Sequence, residues 1–210
     1  MAMTRTQNGS VFFYILLGVV LFAMLSYVVS NMIRSGGDVG GAEAARLQAQ
    51  ALVDLAQKAK IVVQDMKLSG VSADQISFLK SGDSGYTTAP HTAKVFHPSG
   101  GDLRIPDFTD AYTQTAEVRM NRATMPDMGT AAVDIVFGIR YLKQAVCAEI
   151  NKKLRGSDTI PNESALFSDA FDVSSDGDWT GDCTSCSYVT SQCFRSSGGD
   201  YIFYSVVDPN

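Results

Sequence analysis

Val11 to Ser30, VFFYILLGVVLFAMLSYVVS, holds no charged residue, and a helical run of about twenty apolar residues crosses the hydrocarbon core of a bilayer. A cleaved secretory signal would have a shorter apolar core and a small-x-small exit. Ala23 and Ser26 mimic such an exit, but the apolar run continues through Tyr27, Val28 and Val29. The expectation is therefore a retained anchor: a leader-like cytoplasmic segment over residues 1–9, then a single-pass transmembrane helix over residues 10–34. Charge does not fix its orientation, because Arg5 and the terminal amine on one side face Arg34 and Arg46 on the other.

The cysteines suggest the compartment. Cys147, Cys183, Cys186 and Cys193 lie in the C-terminal third, and an even count suits paired disulfides in an oxidising environment, which puts the body outside the cytoplasm. A thioredoxin-like Cys183-x-x-Cys186 would sit between a strand and a helix, whereas DCTSCSYVTSQC is embedded in loop-forming Asp, Ser and Thr. A zinc site would need four clustered ligands, and His91 and His97 are far away in sequence. Structural disulfides are favoured. Three pairings are possible; the reading leans to Cys147 with one member of the CxxC and Cys193 with the other.

Without the anchor roughly 170 residues remain, enough for one domain with a single core. The net charge of −5 and the absence of a Lys/Arg stripe argue against nucleic acid as a partner.

GGDVGG, residues 36–41, has four glycines in six positions and should break a helix as a hinge. Helical periodicity resumes from Ala42, with Leu47, Leu52, Leu55, Ala59, Val62, Met66 and Leu68 on one face and Glu43, Arg46, Gln50, Asp54, Lys58 and Gln64 on the other, closed by Gly70. The organisation is thus a glycine hinge and amphipathic helix over residues 35–70 and an extracytoplasmic α+β head over residues 71–210. In the head, the capping box at Ser72–Gln75 with its Val71/Ile76 staple predicts a short helix to Lys80. Strands are expected at Ala93–His97, Leu103–Ile105 and Thr115–Asn121, with one opening near Ile135. A helix over Tyr141–Leu154 packs through Leu142, Ala145, Val146 and Ile150 and ends at Gly156. Ser187–Phe194 and Tyr201–Val207 form a hairpin in which half of Phe194, Tyr201, Phe203 and Tyr204 enter the core and the rest are free to offer a contact surface.

A hydrophobic N-terminal helix, an amphipathic continuation and a small antiparallel sheet closed by C-terminal disulfides resemble the plan of type IV pilins and type II secretion pseudopilins. HTAKVFHPSGG, QAVCAEIN and YIFYSVV also resemble pilin-like proteins of alphaproteobacteria. The resemblance implies prepilin-peptidase cleavage between Gly9 and Ser10. It also implies self-association into a helical filament, or assembly with other pilin-like subunits, through Phe12, Phe13, Tyr14, Leu17, Val20, Phe22 and Leu25. Tyr14 stands where the family carries Glu, Ser10 where it carries Phe, and Asn8 where it carries Lys or Arg. These departures suit a minor or tip pseudopilin, or an unprocessed anchor, better than a major pilin. The same helix surface serves equally as a plain lipid anchor.

Asp176, Asp178 and Asp182 in SSDGDWTGD offer a weak calcium site of the kind major pseudopilins carry, without the bidentate Glu of an EF-hand; a solvated acidic turn is favoured, so no cofactor is expected. His91 and His97 lack a third ligand. Ser99 lies outside any G-x-S-x-G elbow, and there is no dinucleotide or P-loop glycine pattern. The reading is a non-enzymatic structural subunit of a pilus-like or pseudopilus-like extracellular filament. Its rivals are a non-polymerising anchored periplasmic binding or sensory domain and, more remotely, a membrane-bound redox protein using Cys183 and Cys186.

Overall fold

The computed structural model describes residues 9–128, 130, 133–171 and 175–209; side chains are described for residues 12–28 and from residue 41 onward within that set. The chain divides into two units at Ala44/Ala45. A single helix, α1 (Gly9–Leu68), supplies all of the described part of the first unit and the opening element of the second. Its backbone stays helical through residues 36–41, which corrects the expected glycine break. Glycine costs about 1 kcal/mol relative to alanine in a helix, but the unfavourable step is nucleation, and helix already formed on either side needs only propagation. Residues 1–8 of the expected leader lie outside the described residues.

The second unit is α+β. After α1, a long irregular segment leads to β1 (Tyr112–Thr124), β2 (Asp134–Leu142), α2 (Gln144–Arg155), β3 (Asn162–Glu163), α3 (Phe167–Phe171), β4 (Gly177–Asp178), β5 (Ser191–Ser196) and β6 (Tyr201–Asp208). The sheet order is β3-β5-β6-β2-β1-β4. Its four central strands are antiparallel, while β3 and β4 add short parallel pairings at the two edges. The sheet is therefore mixed, where a purely antiparallel one was expected.

Alternation along the strands assigns the two faces of the sheet. Met120, Ile135, Phe137, Ile139 and Phe203 share one buried cluster with α1 and α2. Val136, Phe194, Ile202, Tyr204 and Val206 face the other way, into a second cluster with Phe167, Phe171 and Trp179. Both faces are covered, so the alternating aromatics of the β5–β6 hairpin leave no free contact face. Phe194, Phe203 and Tyr204 are all buried and Tyr201 is half-buried.

On α1 the buried positions are Ala45, Ala49, Leu52, Ala56, Ala59, Val63 and Met66, with Val53 and Leu55 beside them. Their steps of four and three are a helical seam. Leu47 and Leu68, expected in the packing face, are 63% and 86% exposed. The solvated face from Glu43 to Gln64 is exposed as expected.

The segment from Ser72 to Phe108 departs most from expectation. Ser72–Lys80 forms turns instead of a helix, and Ala93–His97 and Leu103–Ile105 are not strands beyond a bridge of Ser77 to Lys94. Lys94, only 4% exposed, explains this. Its ammonium donates to the carbonyls of Gly85 and Tyr86, each at 2.7 Å, and of Thr88. A buried charge holds its place only with such partners, and turning three carbonyls inward curls the chain around it. Local bonds follow: Lys94 N–H to His91 O at 3.2 Å, His97 N–H to Lys94 O at 3.3 Å and Gly100 N–H to His97 O at 2.9 Å.

Candidate functional site

The N-terminal part of α1 carries the residues expected to assemble. Phe12, Phe13, Tyr14, Leu17, Val20, Phe22 and Leu25 occupy positions all round the helix, and each is between 44% and 75% exposed. A helix apolar on every side is stable only when something apolar surrounds it. Gly9 and Ser10 are the first two residues of α1, and their side chains lie outside those described. Among the described residues, no helix is long and apolar enough to cross a membrane. The expected span of residues 10–34 includes 10, 11 and 29–34, whose side chains are likewise outside the description.

The disulfides correct the expected pairing. Cys147 pairs with Cys193, Cα atoms 5.4 Å apart, and Cys183 with Cys186, 5.3 Å apart. The four cysteines fall on opposite faces of the sheet, Cys147 and Cys193 in the α1/α2 cluster and Cys183 and Cys186 in the Trp179 cluster. A cross-pairing would have to pass through the sheet. The first bridge ties α2 to β5, and Asn151 reinforces it: its amide donates to the Cys193 carbonyl at 2.7 Å and accepts the Cys193 N–H at 2.7 Å. The fully buried Asn151 thus stands in for a neighbouring strand. It takes a place on the inner face of α2 where Ala145 was expected; Ala145 is exposed.

The second bridge closes a single turn, Thr184–Cys186. Glu163 caps that turn, accepting the Thr184 N–H at 2.8 Å and the Ser185 N–H at 3.1 Å. Both sulfurs are sealed from solvent beneath it, which removes the access a thiol-exchange site needs. Trp179 fills the centre of the same cluster. It makes edge-on contacts with Phe171, Phe194 and Tyr204, and its indole N–H donates to Leu166 O at 3.0 Å. The acidic context of Trp179 in the sequence concealed this role.

The three aspartates of the calcium candidate do not converge. Asp176 pairs with Arg122 at 3.0 Å. Asp178 accepts the Thr180 N–H at 2.8 Å and hydroxyl at 2.7 Å, bonds that hold its carboxyl below the usual range. Asp182 takes the Ser164 hydroxyl. Among the described residues no group of three or more His, Cys, Asp or Glu side chains is placed to hold a metal ion. His91 and His97 do meet, as stacked rings 4.3 Å apart in the Lys94 loop, not as neighbours on a strand.

Comparison of the chain with protein-family models, with curated proteins and with solved structures yields no match.

Proposed function

We propose that this chain is a structural subunit of a pilus-like or pseudopilus-like filament, held in the inner membrane before assembly by its N-terminal helix, with the disulfide-bonded unit on the periplasmic side. The observation that carries this reading is the division of labour along α1. Residues 12–28 expose large apolar side chains on every side, while residues 45–66 form a seam in the core of the α+β unit. One helix thus offers an assembly surface and a folding scaffold. Lipid tails are as apolar as leucine, so leaving the bilayer requires close packing against other helices, and identical neighbouring helices in a filament supply that packing. Tyr14, where pilins carry Glu, leaves no carboxylate at that position to neutralise a neighbour's terminal amine, which favours a minor or tip position.

Crosslinking in intact cells tests this. With Phe22→Cys or Leu25→Cys introduced into the full chain, a membrane-permeant bismaleimide is expected to give a ladder of dimers and higher species. A chain that stays monomeric with both variants would speak for a simple anchored domain.

A further inference from the structure

The chain has two histidines, His91 and His97, and the fold brings both into the segment that lies along the C-terminal turns of α1. Gly101 of that segment sits so close to the helix that a Cβ there would lie 2.5 Å from the Val62 side chain. Val95 and Leu103 are buried in the same cluster as Ala59, Val63 and Met66 of α1. The rings of His91 and His97 stack at 4.3 Å with 9° between their planes, and the Tyr86 ring lies 5.2 Å from His97.

The surroundings of the ring nitrogens suit neutral imidazoles only. His97 Nδ1 accepts the Ser99 N–H at 3.1 Å, so it carries a lone pair. His91 Nδ1 is sealed from solvent and has no hydrogen-bond partner among the described residues. An imidazolium has two N–H donors and no acceptor. Protonating His97 therefore breaks its bond to Ser99, and protonating His91 at Nδ1 buries a charged donor with nothing to receive it. The charged neighbours add to this. Lys94, 4% exposed, holds its ammonium on three carbonyls of the same segment. Burial, then the charges of His91 and Lys94, act on His97 in one direction and keep its pKa below the ordinary value. The carboxylates of the surrounding elements are Asp65 on α1, in the wall of a groove shared with Thr92 and Ser99, Asp83, paired with Arg119 at 3.1 Å, and Asp102, paired with Arg104 at 3.3 Å beside Lys58 of α1.

We propose that the stacked His91–His97 pair is an acid-operated catch: a proton on either ring releases residues 91–103 from α1 while the sheet stays folded. The opening is local because the bonds that close the segment are its own. Val95 N–H donates to Ser77 O at 3.0 Å, Leu103 N–H to Val95 O at 2.9 Å and Gly101 N–H to Lys94 O at 3.0 Å. The β5–β6 hairpin has a separate ladder and the Cys147–Cys193 bridge. The open segment takes up the proton more readily than the closed one, so opening grows as pH falls below the ordinary imidazole value of about 6.5. The charge change is the proton on the stacked rings, and the element it biases is the segment clasped on Val62 and Met66. This catch is independent of whether the chain polymerises.

The test is hydrogen–deuterium exchange of the full chain in detergent micelles at pH 7.5 and pH 5.0, corrected for the intrinsic pH dependence of exchange. Peptides spanning residues 91–103 give the signal, and those spanning 191–208 are the internal reference. Protection of residues 91–103 is expected to fall about tenfold or more at the lower pH, with a midpoint at or below about 6.5, while the reference holds. His91→Gln and His97→Gln together should remove that fall and keep the protection seen at pH 7.5. Fluorescence of the single tryptophan, Trp179, reports whether the double variant is folded. Equal protection at both pH values, loss in step with the reference, or a fall that survives in the folded double variant would each overturn the proposal. If the double variant fails to fold, the unaltered chain decides. It has no third histidine, so the imidazole proton resonances must titrate with the midpoint of opening, and an opening that follows the carboxylates near pH 4 would overturn the proposal.

Discussion

Two buried polar side chains decide how much of this head is held. Asn151 satisfies both backbone groups of Cys193 and the Thr159 carbonyl, at 2.9 Å for the latter. Asn151→Leu leaves them bare and is expected to cost about 2–4 kcal/mol by the usual penalty for unsatisfied buried groups. Lys94→Met strips a charge from three inward carbonyls and is expected to cost a similar amount. Urea denaturation of the full chain, read at Trp179, measures both. His97, stacked on His91 beside Lys94, adds a pH dependence. Partial burial, then the charges of His91 and Lys94, hold His97 below its ordinary pKa. The unfolded chain therefore takes up the proton more readily than the folded one. Stability is complete above the ordinary imidazole pKa of about 6.5 and falls as pH drops below it. Thermal melting between pH 7.5 and 5 should show that fall, and His97→Gln should flatten it; an unchanged slope would mean the stacked pair does not contribute. Neither Asn151 nor Lys94 was visible as a core residue in the sequence, because a polar residue is buried only when distant groups satisfy it, and the sequence does not say which groups will meet.

At the level of elements, the helices and the hairpin were legible where a strong local signal coincided with tertiary packing. Gly156, at φ 74°, ends α2 with its N–H on Lys152 O at 3.0 Å, as its position after Arg155 implied. Much of the α1 seam was legible, Leu52, Leu55, Ala59 and Met66 being buried as their periodicity implies, while Ala45, Ala49 and Ala56 were concealed because Leu47 and Leu68 carry more hydrophobicity. The covered second face of the sheet was missed because its lid, α3 with Trp179, is a short helix and an acidic loop without a periodic pattern. Gly138 marks the closeness of that lid: a Cβ at this position would lie 2.1 Å from the Phe171 ring. Gly138→Val is expected to overpack the site by about 1–3 kcal/mol or more, and Trp179→Ala to lose about 3–5 kcal/mol. Denaturation midpoints, followed for Trp179→Ala by near-ultraviolet circular dichroism of the remaining aromatics, check both. The disulfide pairing follows from the same two faces, since the strand alternation that places Cys193 beside α2 is a property of register and not of spacing. Non-reducing peptide mapping should recover Cys147 linked to Cys193 and Cys183 linked to Cys186, and a peptide joining Cys147 to Cys183 or Cys186 would refute the faces assigned here.

For the whole molecule, residues 12–28 of α1 expose large apolar side chains on every side, a surface that is unfavourable in water, and the α+β unit carries both disulfides. The apolar run itself was legible in the sequence. Whether lipid or neighbouring helices surround it is not written in hydrophobicity, since both satisfy the same side chains. The most direct measurement is the intact mass of this chain in the high-speed pellet of sheared cells. The account predicts ordered fibres containing a subunit that begins at Ser10 and retains both disulfides. Recovery of the chain only from the membrane fraction, as a monomer still beginning at Met1, would contradict it.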